Sequence, residues 1–130
     1  MSSLRPISAA QLQMQASPAG KQYKRIEWHN HLQLYVRPIL SMREMVDTVR
    51  GIIGSVVDHE KEIYRPEMLD FAIRVWTVMS YALVEMPDDA EEQYYLLYTT
   101  DLYDTVKKYI NSGQFDAILS AVKAELRYFS

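Results

Sequence analysis

Pro66-Glu67-Met68-Leu69-Asp70-Phe71-Ala72-Ile73-Arg74-Val75-Trp76-Thr77-Val78-Met79-Ser80-Tyr81-Ala82-Leu83-Val84-Glu85-Met86 is the stretch on which the fold turns. Wound as a helix it is apolar on most sides, and only Glu67, Asp70, Arg74 and Thr77 make a narrow polar stripe. Asp70 and Arg74 stand one helical turn apart, at ion-pair spacing. A helix apolar on most sides is covered by neighbours on most sides, so residues 66–86 are expected to form the centre of the fold. Pro66 suits the first helical position, with Arg65 or Tyr64 before it. Pro87-Asp88-Asp89 closes the segment and offers carboxylate caps to a further helix over residues 90–98.

The elements around this centre are legible by period and punctuation. Arg25-Ile26-Glu27-Trp28 and Leu32-Gln33-Leu34-Tyr35-Val36-Arg37 alternate as strands do, with His29-Asn30-His31 as the turn and Pro38 as the stop, which predicts a β-hairpin. Ser41-Met42-Arg43-Glu44 has capping-box spacing. Behind it Met42, Met45, Val46, Val49, Ile52, Ile53, Val56 and Val57 recur at three- and four-residue steps, one helical stripe running to about Asp58. Gly51 and Gly54 interrupt it, each costing about 1 kcal/mol against Ala. Close packing against another helix accounts for them. Thr99, Thr100 or Asp101 can cap a short helix through Ile110, which Asn111-Ser112-Gly113 then ends in a left-handed conformation. Phe115, Ile118, Leu119, Val122, Leu126 and Phe129 give the last helix its stripe. Residues 1–22, rich in Ser, Ala, Gln and Pro, read as a flexible arm. The expected class is α+β, mostly α: arm, hairpin, then about five helices around the buried helix 66–86, with residues 23–130 as a single domain.

Composition narrows the functions. The chain has 130 residues, 48% hydrophobic and 24% charged, enough for one core without staples. It contains no Cys, which removes disulfides, thiolate metal sites and cysteine nucleophiles. No apolar run approaches the roughly 20 residues of a membrane span, and no signal peptide is apparent, so the protein is expected to act inside a cell. Its net charge of −3 is uneven. Through Leu40 there are five basic residues against one acid, and from Ser41 nine basic against sixteen acidic. A basic arm on an acidic body favours contact between unlike surfaces, copies of the chain included.

No catalytic pattern emerges. Glu27, His29 and His31 alternate and could meet on one face around a metal, but the third His, His59, lies elsewhere and a polar turn explains the pair better. There is no Gly-x-Ser-x-Gly elbow and no glycine-rich phosphate loop. The carboxylates Asp88, Asp89, Glu91 and Glu92 sit where a helix start accepts negative charge. No metal, cofactor or catalytic residue is therefore assigned. Lys21, Lys24 and Arg25 beside Tyr23 and Trp28 could stack bases and meet phosphates, yet the acidic balance disfavours nucleic acid. The feature that stands out is Glu85 to Asp104: seven acids, no Lys or Arg, and four interleaved tyrosines, Tyr94, Tyr95, Tyr98 and Tyr103. Tyrosine combines a large apolar ring with a hydrogen-bonding hydroxyl and is enriched at interfaces. The expected partner-binding set is therefore Lys21, Lys24, Arg25 and Trp28 on the basic side, and Asp88, Asp89, Glu91, Glu92, Tyr94, Tyr95, Tyr98, Asp101 and Tyr103 on the acidic one.

A family resemblance rests on further residues. The run Tyr64-Arg65-Pro66-Glu67-Met68-Leu69-Asp70-Phe71-Ala72-Ile73-Arg74 leads into an apolar helix ending at Met86-Pro87-Asp88-Asp89. Glu91-Glu92-Gln93-Tyr94, Tyr98, Thr100-Asp101-Leu102 and Ile110-Asn111 follow, then Gln114-Phe115 before the closing amphipathic helix. This pattern resembles small proteins encoded in the structural modules (head, neck or tail) of tailed phages and prophages of Gram-positive bacteria. The likeness spans residues 32–129 and is one of spacing and punctuation, with no catalytic signature. It implies a non-enzymatic component of a phage particle or of its assembly, in the virion or the host cytoplasm. Its expected partners are other phage structural or assembly proteins, with self-association a further expectation. The alternative is a small phage-encoded inhibitor that binds a host defence or DNA-binding protein through its acids.

Overall fold

Ser41 starts the helix Met42–Val56: its hydroxyl accepts from the Glu44 amide while the Glu44 carboxylate accepts from the Ser41 amide, the reciprocal box its spacing predicts. The computed structural model of the chain describes residues 4–15, 22–29 and 31–129. Its helices are α1 (Ala9–Gln15), α2 (Met42–Val56), α3 (Leu69–Tyr81), α4 (Ala90–Thr99), α5 (Leu102–Tyr109) and α6 (Ser112–Leu126). Its strands are β1 (Lys24–Trp28), β2 (Leu32–Val36), β3 (Val57–Asp58) and β4 (Ile63–Tyr64), and single 3-10 turns at Pro66–Met68 and Arg127–Phe129 complete the elements among the described residues. The class is α+β and mostly α, as expected.

The hairpin pairs antiparallel with Ile26 opposite Leu34 and Trp28 opposite Leu32. His31 takes the left-handed conformation (φ 65°) in the turn, and the Leu32 amide donates to the His29 carbonyl. Ile26, Leu34 and Val36 face inward and are buried. The outer edge of β2 captures the chain after α3: Val36 bridges Ala82, the Arg37 amide donates to the Tyr81 carbonyl, and the Leu83 amide donates to the Tyr35 carbonyl. This corrects the expected helical extent of 66–86. The helix stops at Tyr81 because the next residues go extended to satisfy a strand edge, and Leu83 stands 64% exposed.

α3 nonetheless holds the centre, packing on α2, α4 and α5, while α2 packs on both α3 and α6. Val78 and Tyr81 are fully buried, with Ile52 and Val56 of α2 and Ile118 and Val122 of α6. Burying each such aliphatic side chain contributes about 1.5–3 kcal/mol. Several residues of α3 depart from expectation, and Met79 stands 44% exposed. Thr77, assigned to the polar stripe, is buried. Trp76, expected to be swallowed, is half-buried. Its indole lies along α2 over Gly51, and Nε1 donates to Ser55 Oγ at 2.9 Å. Gly51 is thus the close approach that its place in the helix implied, whereas Gly54 faces open space.

Other local readings shift with tertiary context. Asn111 is the N-cap of α6, accepting from the Gln114 amide at 2.8 Å, and no described Gly has positive φ. The expected left-handed stop after α5 is absent. The segment after α2 makes a two-residue hairpin, Val57–Asp58 with Ile63–Tyr64, that the pattern did not announce. Within the expected arm, residues 1–3 and 16–21 lie outside the described residues. Residues 9–15 are helical, where no structure was expected. Ser8 and Gln11 make a second capping box: Ser8 Oγ accepts from the Gln11 amide, and Gln11 Oε1 from the Ser8 amide.

Arg37 bridges hairpin and helices. Its guanidinium donates to the Glu44 carboxylate and, at 3.0 Å, to the Ser80 carbonyl. The Arg37 hydrogen bond, outweighing burial, holds the Glu44 carboxyl down at about 2. A depressed carboxyl contributes stability above its unfolded value of about 4.5 that is lost as pH falls toward about 2. Urea midpoints of wild type and Glu44→Gln should therefore converge between these two pH values. A gap that stays constant over that range would refute the pairing as a source of stability.

Candidate functional site

α4 carries the acidic tyrosine face. Asp89 caps it, its carboxylate accepting from the Glu92 amide at 3.2 Å, and Glu91 and Glu92 occupy the first turn, where the helix dipole favours them. Leu97, 1% exposed, anchors the helix to the core. That burial turns Tyr94, Tyr95 and Tyr98 outward, at 48%, 59% and 37% exposure. Asp88, Asp89, Glu91 and Glu92 are exposed beside them. Tyr94 and Tyr98, one turn apart, stack with ring centroids 4.6 Å apart, and Tyr95 meets Tyr94 edge-on at 5.9 Å.

Residues of α3 and the turn before it complete the face. Phe71 lies 6.2 Å from Tyr94 and 6.4 Å from Tyr98. With Glu67, Met68, Ala90 and Glu91 these rings line an open cleft of about 390 Å³. Below it Tyr98 donates to Asp70, Arg74 donates to Asp70 at 2.8 Å, and the Arg74 guanidinium covers the rings of Tyr98 and Tyr103 at 4.4 and 4.7 Å. Burial pushes the Asp70 carboxyl up, but hydrogen bonds from Tyr98 and Arg74 outweigh it and leave the group below its usual range. Burial, then donation to that carboxylate, pushes the Tyr98 phenol up to about 12. The tyrosine therefore stays a neutral donor, fixed in place. Glu67 belongs to the polar stripe that the sequence marks on this helix, whereas Met68 and Phe71, apolar residues in an apolar segment, carry no local sign of lining a surface.

Three members of the expected set change role. Tyr103 is 7% exposed and belongs to the core, so it is not part of the surface. Trp28 and Asp101 bind each other: Trp28 Nε1 donates to Asp101 Oδ1 at 2.8 Å, and His29 Nε2 sits 2.7 Å from the same oxygen. These two contacts, Trp28 first, hold the Asp101 carboxyl below its usual range. Asp101 therefore holds the N-cap position of α5 without a cap bond from its side chain, and the Thr100 hydroxyl accepts from the Leu102 amide. The clasp ties the hairpin tip to the α4–α5 corner.

The basic side does not assemble as one patch. Lys24 and Arg25 are successive strand residues and point to opposite faces, with Lys24 Nζ over the Tyr109 ring at 5.1 Å. Lys21 lies outside the described residues. The three histidines also part company. His29 turns to Asp101, His31 Nδ1 to Glu27 at 3.1 Å, and His59 packs edge-on to Phe129. Among the described residues no three metal-ligating side chains converge, and no helix is long and apolar enough to cross a membrane. No protein-family model, curated protein or solved structure matches the chain.

Proposed function

We propose that the protein is a non-enzymatic, protein-binding component of a tailed-phage particle or of its assembly, acting in the virion or the host cytoplasm. It engages a neighbour through the face of α4. The observation that carries this reading is the group of three exposed tyrosines, beside four acids, around an aromatic cleft. Rigid aromatic side chains supply contact area at little cost in conformational entropy, and an acidic rim selects a basic partner segment. The resemblance in residues 32–129 supplies the phage context.

The test is binding to the head, neck and tail proteins encoded beside its gene, measured by titration calorimetry. A Tyr94→Ala/Tyr95→Ala variant should keep the fold, since both side chains are exposed, and lose roughly tenfold or more in affinity. Glu91→Lys should weaken binding most at low salt. Wild-type affinity in both variants, or no binding to any of those proteins, would sink the proposal. A second reading, an inhibitor of a host defence or DNA-binding protein, draws on the same acids. Arg74, standing over Tyr98 on this face, weakens nucleic-acid mimicry. Absence from purified particles, with early expression, would favour the inhibitor.

A further inference from the structure

A second unfilled surface lies away from α4, between α2 and α6. There Met45, Val46 and Val49 face Ala121 and Ala124 across an open groove of about 550 Å³, with Tyr128 at its side. The stripe of α2 is longer than the core needs. Ile52, Ile53 and Val56 in its second half are buried, while Met42 and Val46 in its first half are 80% and 38% exposed, and Tyr128 is 88% exposed. The two alanines leave room for another helix to come close.

The same chain carries an apolar segment that no described residue covers. Every residue from Leu4 to Met14 is exposed, with Leu4 at 98%, Ile7 at 67%, Leu12 at 55% and Met14 at 83%. Ile7 precedes the Ser8 cap and Leu12 is the fourth helical residue, the positions of a hydrophobic staple. The two boxed helix ends of the chain are therefore alike, but only α2 gains support from a core. A seven-residue helix is far below the roughly 12–15 residues at which an isolated helix is even marginal in water, so α1 requires a surface to pack on. Arg5 is the only charged side chain in residues 1–20, and the groove offers one acid, Glu125, with one base, Arg50. Helix and groove are thus both nearly neutral.

We infer that the α2–α6 groove receives the N-terminal segment, residues 4–15, of a second copy of this chain. Among the described residues of one chain nothing covers either surface, and donor and acceptor are different patches, so the contact is heterologous and can link many copies. This is independent of the α4 face, which remains free for another partner.

Sedimentation velocity of the full chain across micromolar concentrations tests the inference. Wild type should self-associate. Leu12→Glu, which spoils the arm, and Val46→Glu, which spoils the groove, should each weaken association at least tenfold. Both positions are exposed, so unchanged circular dichroism verifies the fold. Mixed together, the two variants should form a dimer and stop there, because one brings an intact groove and the other an intact arm. A monomeric wild type overturns the inference, whether the arm is free or folded back on its own groove. So does unchanged association in Val46→Glu, and so does loss of association in Tyr94→Ala/Tyr95→Ala with Val46→Glu unaffected. Failure of the folded variants to pair when mixed would also overturn it.

Discussion

Tyr81→Ala is expected to destabilise the fold by about 3–5 kcal/mol, since it removes a large ring from a fully buried site. The ring fills the end of α3 where the chain turns extended, and its hydroxyl donates to Gln114 Oε1 at 2.6 Å. Gln114 in turn accepts from the Leu40 amide and donates to the Leu40 carbonyl, so one side chain joins α3, the approach to α2 and the start of α6. Tyr81→Phe should cost only about 1 kcal/mol, because the ring stays and Gln114 keeps its bonds to Leu40. Burial pushes the Tyr81 phenol up to about 12. A raised acid pKa means that its stabilisation is complete below the unfolded value of about 10 and is lost as pH rises from there to about 12. Alkaline unfolding should accordingly be less steep in Tyr81→Phe. Chemical denaturation at neutral and high pH measures all three effects, and a loss under about 1 kcal/mol in Tyr81→Ala would contradict the packing described.

Gly51→Ala and Gly54→Ala, one helical turn apart on α2, should move stability in opposite directions. A Cβ on Gly51 would stand 2.6 Å from two carbons of the Trp76 indole and 2.7 Å from a third. The ring must swing away and release Ser55, an overpacking cost of about 1–3 kcal/mol that outweighs the roughly 1 kcal/mol gained from helix propensity. At Gly54 a Cβ meets nothing within 4 Å, so the propensity gain of up to about 1 kcal/mol stands alone. Paired urea titrations check the sign. If Gly51→Ala were as stabilising as Gly54→Ala, the indole would not be seated where α2 and α3 cross.

The candidate face was readable only in part. Asp89 as a cap, the outward acids and three of the four tyrosines follow from composition and spacing, because exposed helix faces and caps are written locally. Tyr103 was misassigned because it sits on the inner side of α5, a fact that depends on where α3 lies rather than on its neighbours in sequence. Phe71 was missed for the converse reason: an apolar residue on an apolar helix gives no sign of standing at a rim. The helix α1 did leave a signal, the Ser8-to-Gln11 box, but it is too short for a hydrophobic period to reinforce it.

Patterns with a local cause were settled by the chain alone: the Ser41–Glu44 box, the alternation that makes β1 and β2, the stripes of α2 and α6, and the central place of α3. Each depends on contacts within a few residues or on a repeating period, and both are properties of sequence. Tertiary structure decided the rest. It ended α3 at Tyr81 in favour of pairing with β2, turned Asp101 from a cap into the anchor of Trp28, and left one groove and one arm uncovered. In each case a backbone edge, a carboxylate or an apolar face had two chemically acceptable partners. For the edge and the carboxylate the choice went to whichever group the folded chain brought near, and to the groove and the arm it brought no described group.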